Sequence, residues 1–321
     1  MAPISKILII GGTGAQGLPI VRSLIIDKKY FCRILTRDPS SPRAQSLLSL
    51  GNTELIKGTF TNESDIRNAY EGCDGAFINI DGFTVGEKGE TFWAIRAYEL
   101  ARENGGIKFF VYGNLDYGYK LSGYRPGFRT GHYDGKGRVG EWILAQAKMN
   151  SGTNAGMGAA LFTTGPYMEM TISEHTPMAP RIEIDQNGAE VLTWRVPLTA
   201  EGAVPHVALE DCGPYVRWLF DNPVRANGMD LRVAIEHVNY HDLAVAFTKV
   251  TGHPARFINV SFEEYWESGP LAYNKANAAG YTADPKESGV MTVQENFTGF
   301  WMLWRNSGGN EGVVGSGKSL A

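Results

Sequence analysis

Apolar residues along the first half of the chain follow two rhythms in turn. Lys6 to Ile10 is a short β-branched run ended by Gly11-Gly12, the pattern of a strand buried on both faces of a parallel sheet. Leu18, Val21, Leu24 and Ile25 then recur at helical spacing, with Pro19 tolerable in the opening turns. The alternation continues with strands predicted at Phe31 to Thr36, Leu55 to Lys57, Gly75 to Ile80, Lys108 to Tyr112 and Ala159 to Thr163. Between them fall helices: one holds Leu47, Leu48 and Leu50, another holds Phe92, Ile95 and Leu100 and ends before Asn104-Gly105-Gly106, and a third runs from about Asp134 to Ala147. Strand and helix in succession predict an α/β fold, a Rossmann-type doubly wound parallel sheet.

The rhythm loosens twice. Gly113 to Gly131 reads as a long loop rich in Gly and Tyr, and loops of that length in compact domains are often functional. After Gly165-Pro166 the chain turns to shorter strands, Val191 to Val196 and Val204 to Ala208, and to helices for which Asp211 and Asp242 are the expected N-caps. The 321 residues are expected to form a Rossmann domain over 1–165 and a smaller C-terminal α+β substrate domain over 166–306, from which the sheet can take back strands. A Gly/Ser-rich flexible tail is expected over 307–321.

Composition narrows the partners. Lys and Arg number 30 against 34 Asp and Glu, a net charge of −4 with no basic face, so direct nucleic-acid binding is not expected. Cys32, Cys73 and Cys212 lie far apart without metal or disulfide spacing, which predicts no metal site and a reducing, cytoplasmic setting. The N-terminal apolar run is too short for a signal segment, and no run reaches the ~18 residues of a membrane span. Oligomeric state leaves no mark on the pattern. The 39 glycines exceed the usual ~7% share, and one cluster of them carries chemistry.

Gly12-Thr13-Gly14-Ala15-Gln16-Gly17, preceded by Gly11, fits G-x-G-x-x-G directly after the first strand and at the mouth of the first helix. Glycines there let the backbone approach a pyrophosphate, and the helix N-terminus offers free N–H donors and partial positive charge. The second strand ends Leu35-Thr36-Arg37-Asp38. An Arg in the first exposed position suits the 2′-phosphate of NADP(H), which its planar fork can bind in two places; a surface pair with Asp38 is the competing reading. Gly312 to Ser319 matches the P-loop pattern formally, but no helix follows it to bind phosphate, and it is read as accidental.

With GGTGAQG after the first strand, LTRDP after the second, FVYGNLD at the fifth, GHYDGKGRVGEWI on the next helix and GPYMEM after the sixth, the chain resembles the NmrA-like family of atypical short-chain dehydrogenase/reductases. The resemblance runs from Met1 to about Met170 and more weakly, through VALEDCGPYV, to about Trp304. It implies Gly12 to Gly17 on the pyrophosphate, Arg37 on the 2′-phosphate, Thr59 and Phe60 near adenine, and Ile80 and Asp81 beside the ribose. Lys136 would reach the nicotinamide ribose, and Pro166, Tyr167, Met168 and Glu169 would lie along the nicotinamide edge. Thr59 departs from the acid that members often carry after Gly, and Gly113-Asn114 stands where a short-chain reductase has its Ser.

A Tyr-x-x-x-Lys pair, in which Lys⁺ favours the phenolate that moves a proton, is absent from the chain. At Lys136 the residue four back is His132 and three back is Tyr133, both on its helical face. His132 as donor, Tyr133 as a displaced donor, and Lys136 as a cofactor ligand without acid catalysis all stay open. Phe83, Trp93, Asn114, Tyr119, Tyr124, Met170 and Trp194, with Tyr167 and Met168, are the expected walls of a pocket for a small apolar substrate. The missing acid favours C=N or a conjugated system over an isolated ketone. Since the family includes enzymes of fungal secondary metabolism and regulators, two readings follow. One is an NADP(H)-dependent reductase or cofactor-assisted cyclase, with cyclisation or cycloaddition included. The other is a redox sensor that reports to a protein partner, a transcription factor or an enzyme.

Overall fold

The structure, a computed structural model, describes residues 3–150 and 156–307. In chain order the strands are Lys6–Ile10 (β1), Phe31–Thr36 (β2), Thr53–Lys57 (β3), Gly75–Ile78 (β4), Phe109–Asn114 (β5), Gly158–Thr164 (β6), Arg181–Ile184 (β7), Glu190–Val196 (β8), Val204–His206 (β9), Asp230–Val233 (β10), Glu236–Val238 (β11) and Ala255–Asn259 (β12). The helices are Gly17–Ile25 (α1), Pro42–Ser49 (α2), Glu63–Tyr70 (α3), Gly82–Asn104 (α4), Gly118–Leu121 (α5), Gly131–Asn150 (α6), Leu209–Asp221 (α7), Pro223–Ala226 (α8), Tyr240–Thr251 (α9), Phe262–Ser268 (α10) and Val293–Arg305 (α11). No helix among the described residues is long and apolar enough to cross a membrane.

The chain separates into two units. The first is Met1–Leu115, Gly135–Thr163 and Leu209–Val233. Its sheet has the order β10-β6-β5-β4-β1-β2-β3, and β1 to β6 are paired in parallel. Ile7, Leu8 and Ile9 are fully buried because helices cover both faces of a parallel sheet. One face packs Leu8, Ile10, Ala76 and Ile78 against Ile66 and Ala69 of α3 and Ala94 and Ala97 of α4. On α7, Gly213 lies where a Cβ would stand 2.5 Å from the Pro19 carbonyl oxygen, which lets α7 lie close against α1. Strand order reverses between β1 and β4, so a crevice opens at the carboxyl ends of these two strands.

The second unit is Asp116–Asp134, Thr164–Ala208 and Ala234–Ala321. It holds a two-stranded antiparallel sheet, β11-β9, and a three-stranded one in which β8 pairs β12 in parallel and β7 antiparallel. A single cut at residue 165 is therefore not how the chain divides. Leu209–Val233 returns to the first unit, where β10 forms the edge beside β6, and Asp116–Asp134 belongs to the second.

Local differences have local causes. The expected loop 113–131 starts two residues late, because β5 extends to Asn114, and it contains α5. Helix α6 begins at Gly131, which puts His132, Tyr133 and Asp134 in its first turn. Asp211 and Asp242 are not N-caps: both sit third in their helices, and α9 is capped by Asn239, whose side chain accepts from His241 N. Ser307 is no tail residue, since it is fully buried and its hydroxyl donates to Ala203 O and accepts from Ala203 N. The rest of the expected tail, with Gly312 to Ser319, lies outside the described residues.

A Cβ on Gly17 would stand 2.1 Å from Gly11 O and 2.6 Å from Gly12 Cα, and these backbone atoms cannot swing aside. Gly17→Ala should cost about 1–3 kcal/mol through overpacking, read as a lower urea midpoint at unchanged slope. An unchanged midpoint would mean that the turn gives way freely.

Candidate functional site

The turn after β1 is shaped by one close approach. Gly11 has φ +86°, and a Cβ there would stand 2.6 Å from the carbonyl oxygen of Asn79, just past β4. The chain then folds on itself, Gly14 N–H donating to Gly11 O at 3.0 Å and Leu18 N–H to Gly14 O at 3.1 Å, and α1 begins. Helices α2, α3, α4, α9, α10 and α11 open on a side-chain oxygen, from Ser41, Asn62, Asp81, Asn239, Ser261 and Thr292 in turn. No side chain caps α1, although the Leu18 N–H is already taken by Gly14 O and Pro19 has no N–H to offer.

Around this turn the first unit gathers the ends of its parallel strands. Arg37, after β2, is exposed and has no ion-pair partner among the described residues. Asp38 does not pair with it. Its carboxylate accepts from the Ser40 N–H at 2.9 Å and the Ser40 hydroxyl at 2.5 Å, bonds that hold its pKa below the ordinary value. After β3, Thr59 N–H donates to Asp65 Oδ2 at 2.9 Å, while Phe60 packs against the apolar core. After β4, Ile80 is buried, and Asp81 caps α4 by accepting from Phe83 N–H at 3.0 Å and the Thr84 hydroxyl at 2.6 Å.

Lys136 is embedded in acceptors. Its Nζ lies 2.7 Å from Glu90 Oε1, 3.0 Å from Asn79 Oδ1, 2.9 Å from Ile80 O and 3.4 Å from Gly113 O. Glu90 is wholly buried, and burial raises its carboxyl pKa, with Lys136 opposing. Neither Glu90 nor Asn79 was singled out from sequence, yet Glu90 left a signal. It shares a helical face with Ala94, Ala97 and Ala101, all buried, and a charge in such a row needs a partner.

Of the expected pocket residues, Asn114 and Trp194 are buried and Trp93 is partly buried. Asn114 is buried under α6, where Gly140 makes room for its amide, and its Nδ2 donates to Thr163 Oγ1 at 2.9 Å. Trp93 packs against the apolar core on α4. Trp194, in the second unit, is fully buried with its indole N–H donating to Thr171 O at 2.7 Å, an interior residue beside Phe247. Phe83, by contrast, is half-buried in the first turn of α4.

In the second unit Tyr133 is committed to packing, while His132 is partly exposed and held through Nδ1. The Tyr133 hydroxyl is buried without a hydrogen bond, its ring lies against Phe300 and Trp304, and burial pushes its pKa well above the usual tyrosine value. His132 Nδ1 lies 3.0 Å from Asn296 Oδ1, and its backbone N–H donates to the same oxygen at 3.3 Å. An amide oxygen only accepts, so Nδ1 carries the hydrogen. Tyr119 stacks edge-on to Tyr124, and its N–H donates to Asp134 Oδ1 at 3.1 Å. Pro166, Tyr167, Met168, Glu169 and Met170 form one anchored segment. Met168 N–H donates to Val207 O and Val207 N–H to Pro166 O, which leaves the Met168 side chain exposed.

A parallel sheet with a glycine turn at its reversal point and an uncapped helix behind it defines a Rossmann-type α/β protein. Residues 3–279 match the model of the NmrA-like family, and the chain belongs to that family. Among its relatives, an NmrA-like oxidoreductase, malD of Malbranchea aurantiaca, is 27% identical over 276 residues, covering 83% of this chain and 77% of its own. Among solved structures, the negative transcriptional regulator NmrA superposes with a TM-score of 0.71 at 16% identity, over 97% of this chain and 85% of its own. The NADPH-dependent quinone oxidoreductase of Escherichia coli, complexed with NADPH, does so with 0.61 at 16% identity, over 96% and 94%.

His206 secures the Pro166 segment. Its Nδ1 donates to Pro166 O at 3.2 Å, and burial lowers its pKa from 6.5 to about 4. The unfolded chain therefore takes up a proton that the native state refuses. Stability from this site is complete above pH 6.5 and is lost as pH falls towards 4, by about 3 kcal/mol in all. His206→Gln should flatten that part of the stability profile in urea titrations from pH 7 to 4, and an unchanged slope would assign the acid loss to other groups.

Proposed function

We propose that the protein is an NADP(H)-dependent oxidoreductase acting on an apolar C=N or conjugated substrate of secondary metabolism. The observation that carries the cofactor is the pairing of the uncapped α1 turn with Arg37, exposed and unpartnered while Asp38 is turned to Ser40. Gly11, Gly12, Thr13, Gly14, Ala15, Gln16 and Gly17 would hold the pyrophosphate on backbone amides, and Arg37 the 2′-phosphate in a forked, charge-assisted contact. Thr59 and Phe60 would border adenine, and Ile80 and Asp81 the ribose. NADP(H) and oxidoreductase chemistry are in the names of the quinone oxidoreductase and malD, which supports the reading.

The bound cofactor supplies a hydride. What the chain supplies is position and charge, because Tyr133 and His132 are held by packing and by Asn296. Lys136 would act on the cofactor through its charge, since its three N–H already face Glu90, Asn79 and Ile80. A substrate that needs no proton delivered with the hydride suits this equipment: an iminium is neutralised by the addition, and a conjugated system spreads the charge. Redox-neutral cyclisation or cycloaddition with cofactor bound is a variant of the same reading, in which the pocket holds a reactive conformer. The burial of Tyr133 favours one other reading, a sensor that binds the cofactor without turnover and reports to a protein partner.

Two measurements test this. NADPH should bind more tightly than NADH by fluorescence titration, and Arg37→Ala should weaken NADPH binding about tenfold or more with NADH unaffected; unchanged preference removes Arg37 from the site. Wild type should oxidise NADPH with cyclic imines or enones faster than with simple ketones, followed by loss of absorbance. Tight binding without oxidation across the panel would favour the sensor.

A further inference from the structure

The α4 carboxylate that meets Lys136 has one cationic partner and a cavity built for it. Glu90 Oε2 is buried without a hydrogen-bond donor, and a Cβ on Gly82 would stand 2.2 Å from it, one on Gly135 3.5 Å. Gly82, which opens α4, thus makes the space, while at Gly135 a Cβ would be in ordinary contact. Asp81 and Glu87 of α4 and Tyr112 of β5 also bear on the carboxylate electrostatically. Glu87 is paired with Arg138 at 3.0 Å, and Tyr112 presents its ring 5.5 Å from Lys136 Nζ. Lys136 is therefore the group that balances Glu90.

From this pair a chain of forced choices runs to the glycine turn. An ammonium only donates, so Asn79 must offer it Oδ1. The Asn79 Nδ2 then faces Gln16 and donates to its Oε1 at 2.8 Å, and Gln16 is the residue from which α1 starts. Reversing the Asn79 amide would aim N–H at a cation.

We propose that Glu90 is a positioning residue that fixes the Lys136 ammonium and, through Asn79 and Gln16, presets the glycine turn for its ligand. Glu90 itself is wholly buried and touches no ligand; it acts through Lys136. The inference rests on the NADP(H) reading only for what the turn binds.

The test has one readout with cofactor and one without. Acetic anhydride labelling of the cofactor-free protein, resolved by mass spectrometry and scaled to exposed Lys28, measures how firmly Lys136 is held. Glu90→Gln should raise Lys136 labelling about tenfold or more, since the cation loses the partner that a buried pair requires. NADPH affinity should fall about tenfold in Glu90→Gln, yet Glu90→Gln added to Lys136→Met should cause no further loss, because the effect passes through Lys136. Should Glu90→Gln fail to fold, Glu90→Asp, which draws the charge back by one methylene, is read in the same way. Unchanged labelling overturns the proposal, and so does an equal loss of affinity with and without Lys136. If wild type binds no NADPH, the cofactor reading falls, and labelling alone decides the role of Glu90.

Discussion

A backbone without a side chain at residue 11 is the condition on which the crevice depends. The Asn79 carbonyl oxygen lies 2.6 Å from where a Cβ would be, so β1 and β4 end close together only with glycine there. That contact sits between the two strands at which the sheet order reverses, where a doubly wound sheet opens. Its positive φ turns the chain back under itself, and α1 starts without a side-chain cap. Gly12 and Gly17 serve the same turn by letting Ile34 and the Gly11 backbone close on it.

The polar groups buried around this turn are arranged by charge. Glu90 and Lys136 balance each other, and breaking such a pair typically costs about 3–5 kcal/mol because a lone charge is left behind. Their orientation passes to Asn79 and Gln16 by donor and acceptor count alone. Asn114 belongs to a separate line, donating to Thr163, whose hydroxyl donates to Asp230 on the edge strand β10. Asp134 ties Thr130 and Tyr119 to the first turn of α6. None of these carboxylates reads as catalytic. Each fixes backbone and side chains within its own unit.

This division of labour bears on the absence of a tyrosine acid. Tyr133 is one turn from Lys136 in sequence, but the aromatic residues Phe300 and Trp304 claim its ring. A buried phenol with a raised pKa keeps its proton. Tyr133 is thereby held as a neutral interior phenol.

Local pattern was enough for much of this. The period of apolar residues and the glycines showed strands, helices and the turn at Gly11 to Gly17, because each is decided by neighbours in sequence. Arg37 was legible for the same reason, as the first residue past a buried strand. Burial partners are not local. Trp194 and Asn114 have the chemistry of pocket walls and the packing of a core, and nothing within a few residues of either distinguishes the two. Glu90 was visible only as a charge in an alanine row, and Lys136, 46 positions on in the numbering, gave that charge its meaning. The return of Leu209–Val233 to the first sheet likewise depends on an edge that β6 leaves open. Sequence by itself determined the alternating elements and the glycine turn, since these follow from short-range sterics and periodicity, and its motifs carried the resemblance to the family. Tertiary structure alone decided which polar side chains face one another, because a buried charge is settled by its partner and not by its neighbours in the chain.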